Sequence, residues 1–499
     1  MTSLDFLVIA LYVAGMLAVG RYYSTRTRTT DDYLLGGRNM SPLMIGLSLF
    51  ATLTSTLSYL AYPGEMIQHG PMMFAQVTAY PLIILIVGWG LIPFIMRLRV
   101  TSAYELLESR LGLTGRLLGS GMFVALRTVW MASILYATSA KVLVPLLGLE
   151  PVWTPYLCAA MGLVTIVYTA EGGLRAVVVT DALQSLIMFG GAIVCVVVIS
   201  VTLGGVEAWW PTQRPAHWQE PVFWPDPKVR VTFIGAFVNM LVWMVCTAGS
   251  DQMAIQRYLA TRDVRAARRS FAIHLSAEAL IAGLLALVGL AVLAYFRAHP
   301  ESLGSGKSLV DAADELFPRF VVVGLPQGLT GLVMAAILSA AMSSLSSGMN
   351  SSSAVISTDF IGRFRQAPMS QREQVRTARA MAVLVGAVAI LLSTVVGGLA
   401  GNLLELCVKV VNLLTAPLFV LFFLAMFIRW ATPFGAIAAT VASVAIGAGI
   451  AFGEWFGLTF LWTGPCSLVA GMVAGCVGSL VPMQGKIRNP KSEIRNRLE

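Results

Sequence analysis

Long apolar stretches alternate with short, arginine-bearing connections along almost the whole chain. A membrane-crossing helix needs about 20 apolar residues to traverse about 30 Å of hydrocarbon. By that measure the pattern predicts about thirteen transmembrane helices, at roughly 4–22, 41–63, 73–96, 118–146, 152–170, 177–203, 231–254, 270–297, 327–360, 380–399, 402–428, 433–453 and 459–482. The first does not read as a cleaved signal peptide, since Asp5 precedes it, Arg21 follows it and no A-x-A site is present.

Two of these stretches are marked for interruption. "GLSLFATLTSTLSYLAYPGE" (46–65) and "FVNMLVWMVCTAGSDQ" (237–252) carry small and hydroxylated residues midway, then Gly64 with Pro63 in one and Gly249 in the other. Such residues weaken a helix interior. Lipid tolerates freed backbone groups only beside a cavity or a partner. Two interrupted helices five spans apart predict an all-α polytopic protein with a five-plus-five inverted repeat, in which broken helices meet near the midplane. The expected divisions are 1–40 (an extra N-terminal helix and loop), 41–203 (first repeat), 204–230 (an outer loop with four tryptophans), 231–428 (second repeat), 429–482 (extra helices) and 483–499 (a charged tail).

Composition agrees: 57% of residues are hydrophobic, 12% are charged, and mean hydropathy is +0.78. A soluble protein cannot hide so much apolar surface, so lipid is the solvent. The net charge of +9 is a topology signal more than a nucleic-acid surface. Twenty-five Arg and Lys fall in one set of alternate connections and six in the other. The bias predicts a multi-pass plasma-membrane protein (inner membrane in a bacterium), N-terminus outside and C-terminus cytoplasmic. The six cysteines form no C-x-x-C, so neither a disulfide framework nor a zinc site is expected. No Walker or dinucleotide motif is present, and the four histidines are scattered, which argues against an enzyme.

The chemistry concentrates in "ILSAAMSSLSSGMNSSSAVISTDF" (337–360). At helical spacing Ala340, Ser343, Ser344 and Ser347 share one face, and Ser346 borders it. Hydroxyls and unwound carbonyls are hard ligands suited to a small hard cation that must also leave; the plainer reading is serines as helix glue. Asp181, several residues inside its helix, needs a partner there: a cation, or a tie to the neighbouring loop. Arg127, about ten residues into its helix, needs an acid, an anion or a route to the membrane face. Glu405–Lys409 and His274–Glu278 are spaced i,i+4 as local pairs, and Asp251 and Asp359 sit at helix ends, solvated or bridged to the arginine-rich loops.

"DDYLLGGRNM", "FATLTSTLSYLAYPGE", "VTSAYELLESRLG", "EGGLRAVVVTDALQ", "SDQMAIQRYLATRD" and "NSSSAVISTDF" together resemble the sodium:solute symporter family, with its leucine-transporter-type fold. The resemblance spans most of the chain and is nearest the sialic acid/carboxylate and monocarboxylate/vitamin branches. It implies a main sodium site on Ala51, Thr54, Ala340, Ser343 and Ser344, and a second on Asp181, Ser346 and Ser347. The positions that hold sugar in sugar carriers look like Leu53, Ser58, Met244 and Thr247 here, a departure that disfavours sugar. In carboxylate carriers an Arg placed like Arg127 holds the solute, with Gln76, Ser55 and Ser58 as further contacts. The implied function is sodium-coupled import of a small organic solute, with a carboxylate-bearing one expected, by alternating access. A sugar, polyol or amino acid symporter and a membrane solute sensor are the alternatives. Sodium, the solute and the bilayer are the expected partners; no nucleic acid and no obligatory protein partner is expected.

Overall fold

The computed structural model describes residues 1–27, 29–97, 100–303, 308–395 and 403–481; the side chains of 403–408 and 410 are outside the description. Glu405, and with it the expected Glu405–Lys409 pair, and the charged tail lie outside the described residues.

We label the main helices α1 (Ser3–Ser24), α2 (Pro42–Leu53), α3 (Thr56–Gln68), α4 (Pro71–Arg97), α5 (Glu105–Leu147), α6 (Pro151–Leu203), α7 (Phe233–Ser250), α8 (Gln252–Leu259), α9 (Val264–Ala298), α10 (Leu329–Phe364), α11 (Gln371–Ser393), α12 (Leu403–Phe427), α13 (Pro433–Gly453) and α14 (Phe460–Gly478). Ten continuous helices among the described residues are long and apolar enough to cross a membrane, or eleven when α2 and α3 count as one bent span. The count of thirteen returns when α6 is divided at Gly173 and α12 is included. At Gly173 (φ +61°, ψ −160°) the chain turns with no intervening coil, because this left-handed conformation needs no loop. A Cβ there would sit 2.7 Å from the Tyr33 carbonyl oxygen.

Capping sets where the spans begin. Ser41 accepts from the Met44 amide with Pro42 in the first turn, and Thr232 and Asp263 cap α7 and α9 in the same way. The serine helix α10 is the centre of the bundle: its most apolar window is 89% buried. It packs on α6, α5, α11, α1 and α2, while α13 and α14 form a peripheral pair on α12. Small residues permit the close crossings. A Cβ at Gly191 of α6 would meet the Ala336 methyl of α10 at 2.5 Å, and one at Gly348 would meet the Met131 sulfur at 2.7 Å.

The two interruptions differ. Between α2 and α3 the backbone is extended at Thr54 and Ser55, and the axis bends by 67°. The second stretch stays helical through Gly249 and turns only at Asp251, which caps α8 by accepting from the Met253 amide. The reason is local. The Ser250 hydroxyl bonds back to the Cys246 carbonyl, and Gly249 is a packing residue whose added Cβ would lie 2.5 Å from the Phe419 ring. In the 204–230 loop, Trp209 and Trp218 are buried. The Trp218 indole N–H donates to the Ile67 carbonyl, which lays the loop over the end of α3.

Candidate functional site

At the α2–α3 break, carbonyls at the end of α2 lose their helical donors. Buried carbonyls need partners, and the serine helix supplies them. The Ser343 hydroxyl donates to the Ala51 carbonyl at 2.8 Å and lies 3.4 Å from the Ala340 carbonyl. Ser344 donates to the Thr52 carbonyl at 3.0 Å, and Thr56 to the Ile337 carbonyl at 3.1 Å. Ser343 thus joins Ala51 to Ala340, Ser344 joins the neighbouring Thr52, and all five residues are buried. Thr54 sits in the break itself, and its hydroxyl donates to Glu278 Oε2 at 2.6 Å. The cluster consists of neutral oxygens. Among the described residues no group of three or more His, Cys, Asp or Glu could hold a metal ion. That donor set suits a hard monovalent ion that must be released.

One turn along α10 lies a second polar cluster. Asp181 Oδ2 accepts from Ser48 at 2.6 Å and from Ser347 at 3.3 Å, and Thr52 and Ser347 share a 2.8 Å hydroxyl contact. Ser346 is not a partner of Asp181; its hydroxyl donates to the Ser343 carbonyl in its own helix. The counter-charge is Arg257 of α8, fully buried, whose Nη2 lies 3.0 Å from Asp181 Oδ2. Its Nε donates to Ser48 at 2.8 Å, its Nη1 to the Met253 carbonyl at 2.9 Å, and its Nη2 also to Ser347. Read from the sequence, Arg257 counts only among the bases of a connection. The sequence carries no local signal for it: that Gln252, Gln256 and Arg257 are all buried is a property of the fold.

Arg127 also has an internal partner. It pairs with Asp251 at the turn between α7 and α8, and its Nε has no further acceptor. Asp251 and Asp359 are not solvated helix ends but buried anions. Asp359 accepts from Arg116 Nε at 2.9 Å, Ser120 at 2.8 Å and Ser102 at 2.5 Å, and Arg116 and Arg363 both reach Glu108. These pairs tie α5 to α7 and to the end of α10 and close the arginine-rich end of the bundle. Near the opposite end, Arg230 holds Glu65 of α3 by two hydrogen bonds of 2.7 and 2.9 Å.

Between these layers lies a cavity of about 70 Å³, walled by the bent pair, α4, α5, α7, α9 and α12. Ser58, Tyr62, Gln76, Trp130, Trp243 and Glu278 contribute to its lining. Gln76 Nε2 donates to the Tyr62 hydroxyl at 3.1 Å. Of the four expected solute contacts, Ser58 and Gln76 reach this cavity. The Ser55 hydroxyl is buried at the break with no hydrogen-bond partner, and Arg127 is outside the lining. His274 and Glu278 are not a local pair: both His274 nitrogens are buried without partners, its ring lies against Phe271, and Glu278 turns to Thr54. A larger cavity of about 370 Å³, lined by Lys141, Pro151 and Thr394 among others, lies at the far ends of α5, α6 and α11, away from the break.

A family model described as the sodium:solute symporter family matches residues 33–443. The chain is 28% identical over 483 residues to the sodium/sialic acid symporter SiaT of Proteus mirabilis, covering 95% of this chain and 94% of that protein. It is 31% identical over 458 residues to the sodium-dependent multivitamin transporter of Oryctolagus cuniculus, covering 91% and 70%. The solved substrate-bound, outward-open state of a Na+-coupled sialic acid symporter aligns with a TM-score of 0.82 at 26% identity, over 97% of this chain and 98% of that one. The nucleobase-cation-symport-1 transporter Mhp1 aligns with a TM-score of 0.60 at 13% identity, over 90% and 95%, a likeness of fold alone. With the bent helix, the central serine helix and these matches, the chain belongs to the sodium:solute symporter family.

Proposed function

We propose that this sodium-coupled symporter binds its driving ion at Ala51, Thr54, Ala340, Ser343 and Ser344 and its solute in the adjoining cavity lined by Ser58, Tyr62, Gln76 and Glu278. The observation that carries the reading is the convergence of the Ser343 and Ser344 hydroxyls on carbonyls released by the helix break. A sodium ion entering between them replaces hydroxyl–carbonyl bonds by ion–oxygen contacts and fastens α2 to α10. The break also carries Thr54, which bonds to Glu278 in the cavity wall, so ion and solute share one structural joint. Binding of one then favours the conformation that binds the other, a reciprocal coupling. Import follows when the pairs that close the arginine-rich end, taken as cytoplasmic from the charge bias, open and expose the ion to low sodium.

The Asp181 cluster is occupied differently. A guanidinium already contacts Asp181 Oδ2, Ser48 and Ser347, while Asp181 Oδ1 is buried without a hydrogen-bond partner. We assign that place to Arg257 rather than to a second sodium ion, which gives one sodium per cycle. The carboxylate expectation rests on Arg127, whose charge is matched by Asp251. Relatives are named for sialic acid, monocarboxylates, vitamins and iodide, so the family does not single out a solute. The test is uptake into proteoliposomes from a mixed library of small acids, amines, sugars and amino acids. Concentrative uptake driven by an inward sodium gradient, with a raised sodium requirement in Ser343→Ala, supports the reading. Binding without uptake marks a sensor and rejects it.

A further inference from the structure

We propose that the solute carries a cationic head group, a primary or quaternary ammonium or an amidinium, and that Glu278 is its counter-ion. This rests on the reading of the cavity as the solute site and goes beyond it by naming the solute's charge.

The cavity wall contains one carboxylate and no opposing base among the described residues. Glu278 is 4% exposed and lines the cavity. None of the ion pairs formed by the described residues uses it. Its one hydrogen-bond donor is the Thr54 hydroxyl on Oε2, which leaves most of the carboxylate's accepting capacity to whatever enters the cavity. A buried acid without a partner is costly, and a ligand cation removes that cost. Two buried guanidiniums of the bundle interior are already matched: Arg127 by Asp251 and Arg257 by Asp181. Among the described lining residues an anionic solute would therefore meet a carboxylate and no guanidinium.

The remaining wall fits the same class. The rings of Tyr62, Trp130 and Trp243 share the cavity with Glu278. Aromatic faces attract ammonium groups, and surrounding aromatic walls are a recurrent way to hold quaternary amines. Gln76 and Asn239 supply neutral hydrogen-bonding groups for the rest of a small molecule. The volume of about 70 Å³ corresponds to roughly two waters at liquid density, which restricts the cavity to a compact head group.

The experiment is a thermal-unfolding and equilibrium-binding comparison on the purified full chain, with and without sodium. The probes are tetramethylammonium, choline, butylamine and guanidinium, set against the similar-sized neutral 3,3-dimethylbutan-1-ol and butanol and the anions butyrate and 3,3-dimethylbutanoate. At least one cation is expected to bind in sodium at least about tenfold more tightly than its neutral counterpart, and Glu278→Gln is expected to abolish that preference. Trp243→Leu is expected to narrow the cation-over-neutral ratio without removing sodium dependence, which keeps a test available should the Glu278→Gln protein fail to fold. The proposal is overturned if a carboxylate or neutral probe binds better than every cation, if no probe binds, or if Glu278→Gln raises the sodium requirement equally for all ligands. Sodium-stimulated binding of anions or neutrals would defeat this inference alone. Cation binding indifferent to sodium and to Ser343→Ala would defeat the symport reading beneath it.

Discussion

Single side chains decide which charges at the centre of this bundle are free to work. Ser343 bridges the Ala51 and Ala340 carbonyls, so Ser343→Ala removes one ligand from the assigned ion site. The sodium concentration for half-maximal uptake should rise by about tenfold or more, measured as sodium dependence of initial rates, with the order of solute preference unchanged. Asp181 and Arg257 make the opposite case, a pair matched internally and fully buried. Asp181→Asn leaves a guanidinium uncompensated and should destabilise the fold by about 3–5 kcal/mol. Adding Arg257→Gln should recover much of that loss in a double-mutant cycle read by thermal unfolding; simple additivity would show that the two groups do not interact. The hydroxyl face of α10 was legible because serine spacing in a helix is a local pattern. The partners of Asp181 and Arg127 were not, because they lie 76 and 124 residues away and spacing says nothing of such pairs. The i,i+4 spacing misplaces Glu278 for the same reason. Its i−4 neighbour His274 shares its face in sequence, yet the carboxylate finds Thr54, 224 residues earlier.

At the scale of elements, breaks and turns follow backbone chemistry more closely than composition. The α2–α3 break was expected from Thr, Ser and Gly within an apolar run, and it lies at Thr54–Ser55, well before the Pro63–Gly64 pair. Pro63 and Gly64 lie inside α3 without ending it. Gly249 carries the same signal in α7 and is a contact surface for Phe419. Composition cannot separate a glycine that bends a helix from one that lets another helix approach. Gly173 is a true conformational requirement, with a φ and ψ that only glycine adopts freely. Gly173→Ala should lower stability by about 1–3 kcal/mol, checked by the unfolding temperature in detergent. Gly190, further along α6, meets nothing within 4 Å of an added Cβ. Gly190→Ala should therefore leave the unfolding temperature unchanged or slightly higher, since alanine is the better helix former.

Over the whole molecule, the two ends of the bundle are held by different ties. Asp359 gathers Arg116, Ser102 and Ser120 at the arginine-rich end. Asp359→Asn should loosen that end, so a cysteine placed at buried Ser250 should be alkylated faster from that side; an unchanged rate would remove the network from the gate. The energetics follow from ion number and solute charge. One sodium crossing a 100 mV potential with a tenfold gradient provides about 3.7 kcal/mol, enough for roughly 500-fold accumulation of a neutral solute. A univalent cationic solute adds about 2.3 kcal/mol of its own from the potential, whereas an anion would lose about the same amount. The central claim, one ion held between the broken helix and the serine helix, is tested most directly by equilibrium binding of radioactive sodium to the purified protein. We predict one saturable sodium per chain, bound about tenfold or more weakly in Ser343→Ala and retained in Arg257→Gln. Two ions per chain in the unaltered protein, or undiminished binding in Ser343→Ala, would contradict it.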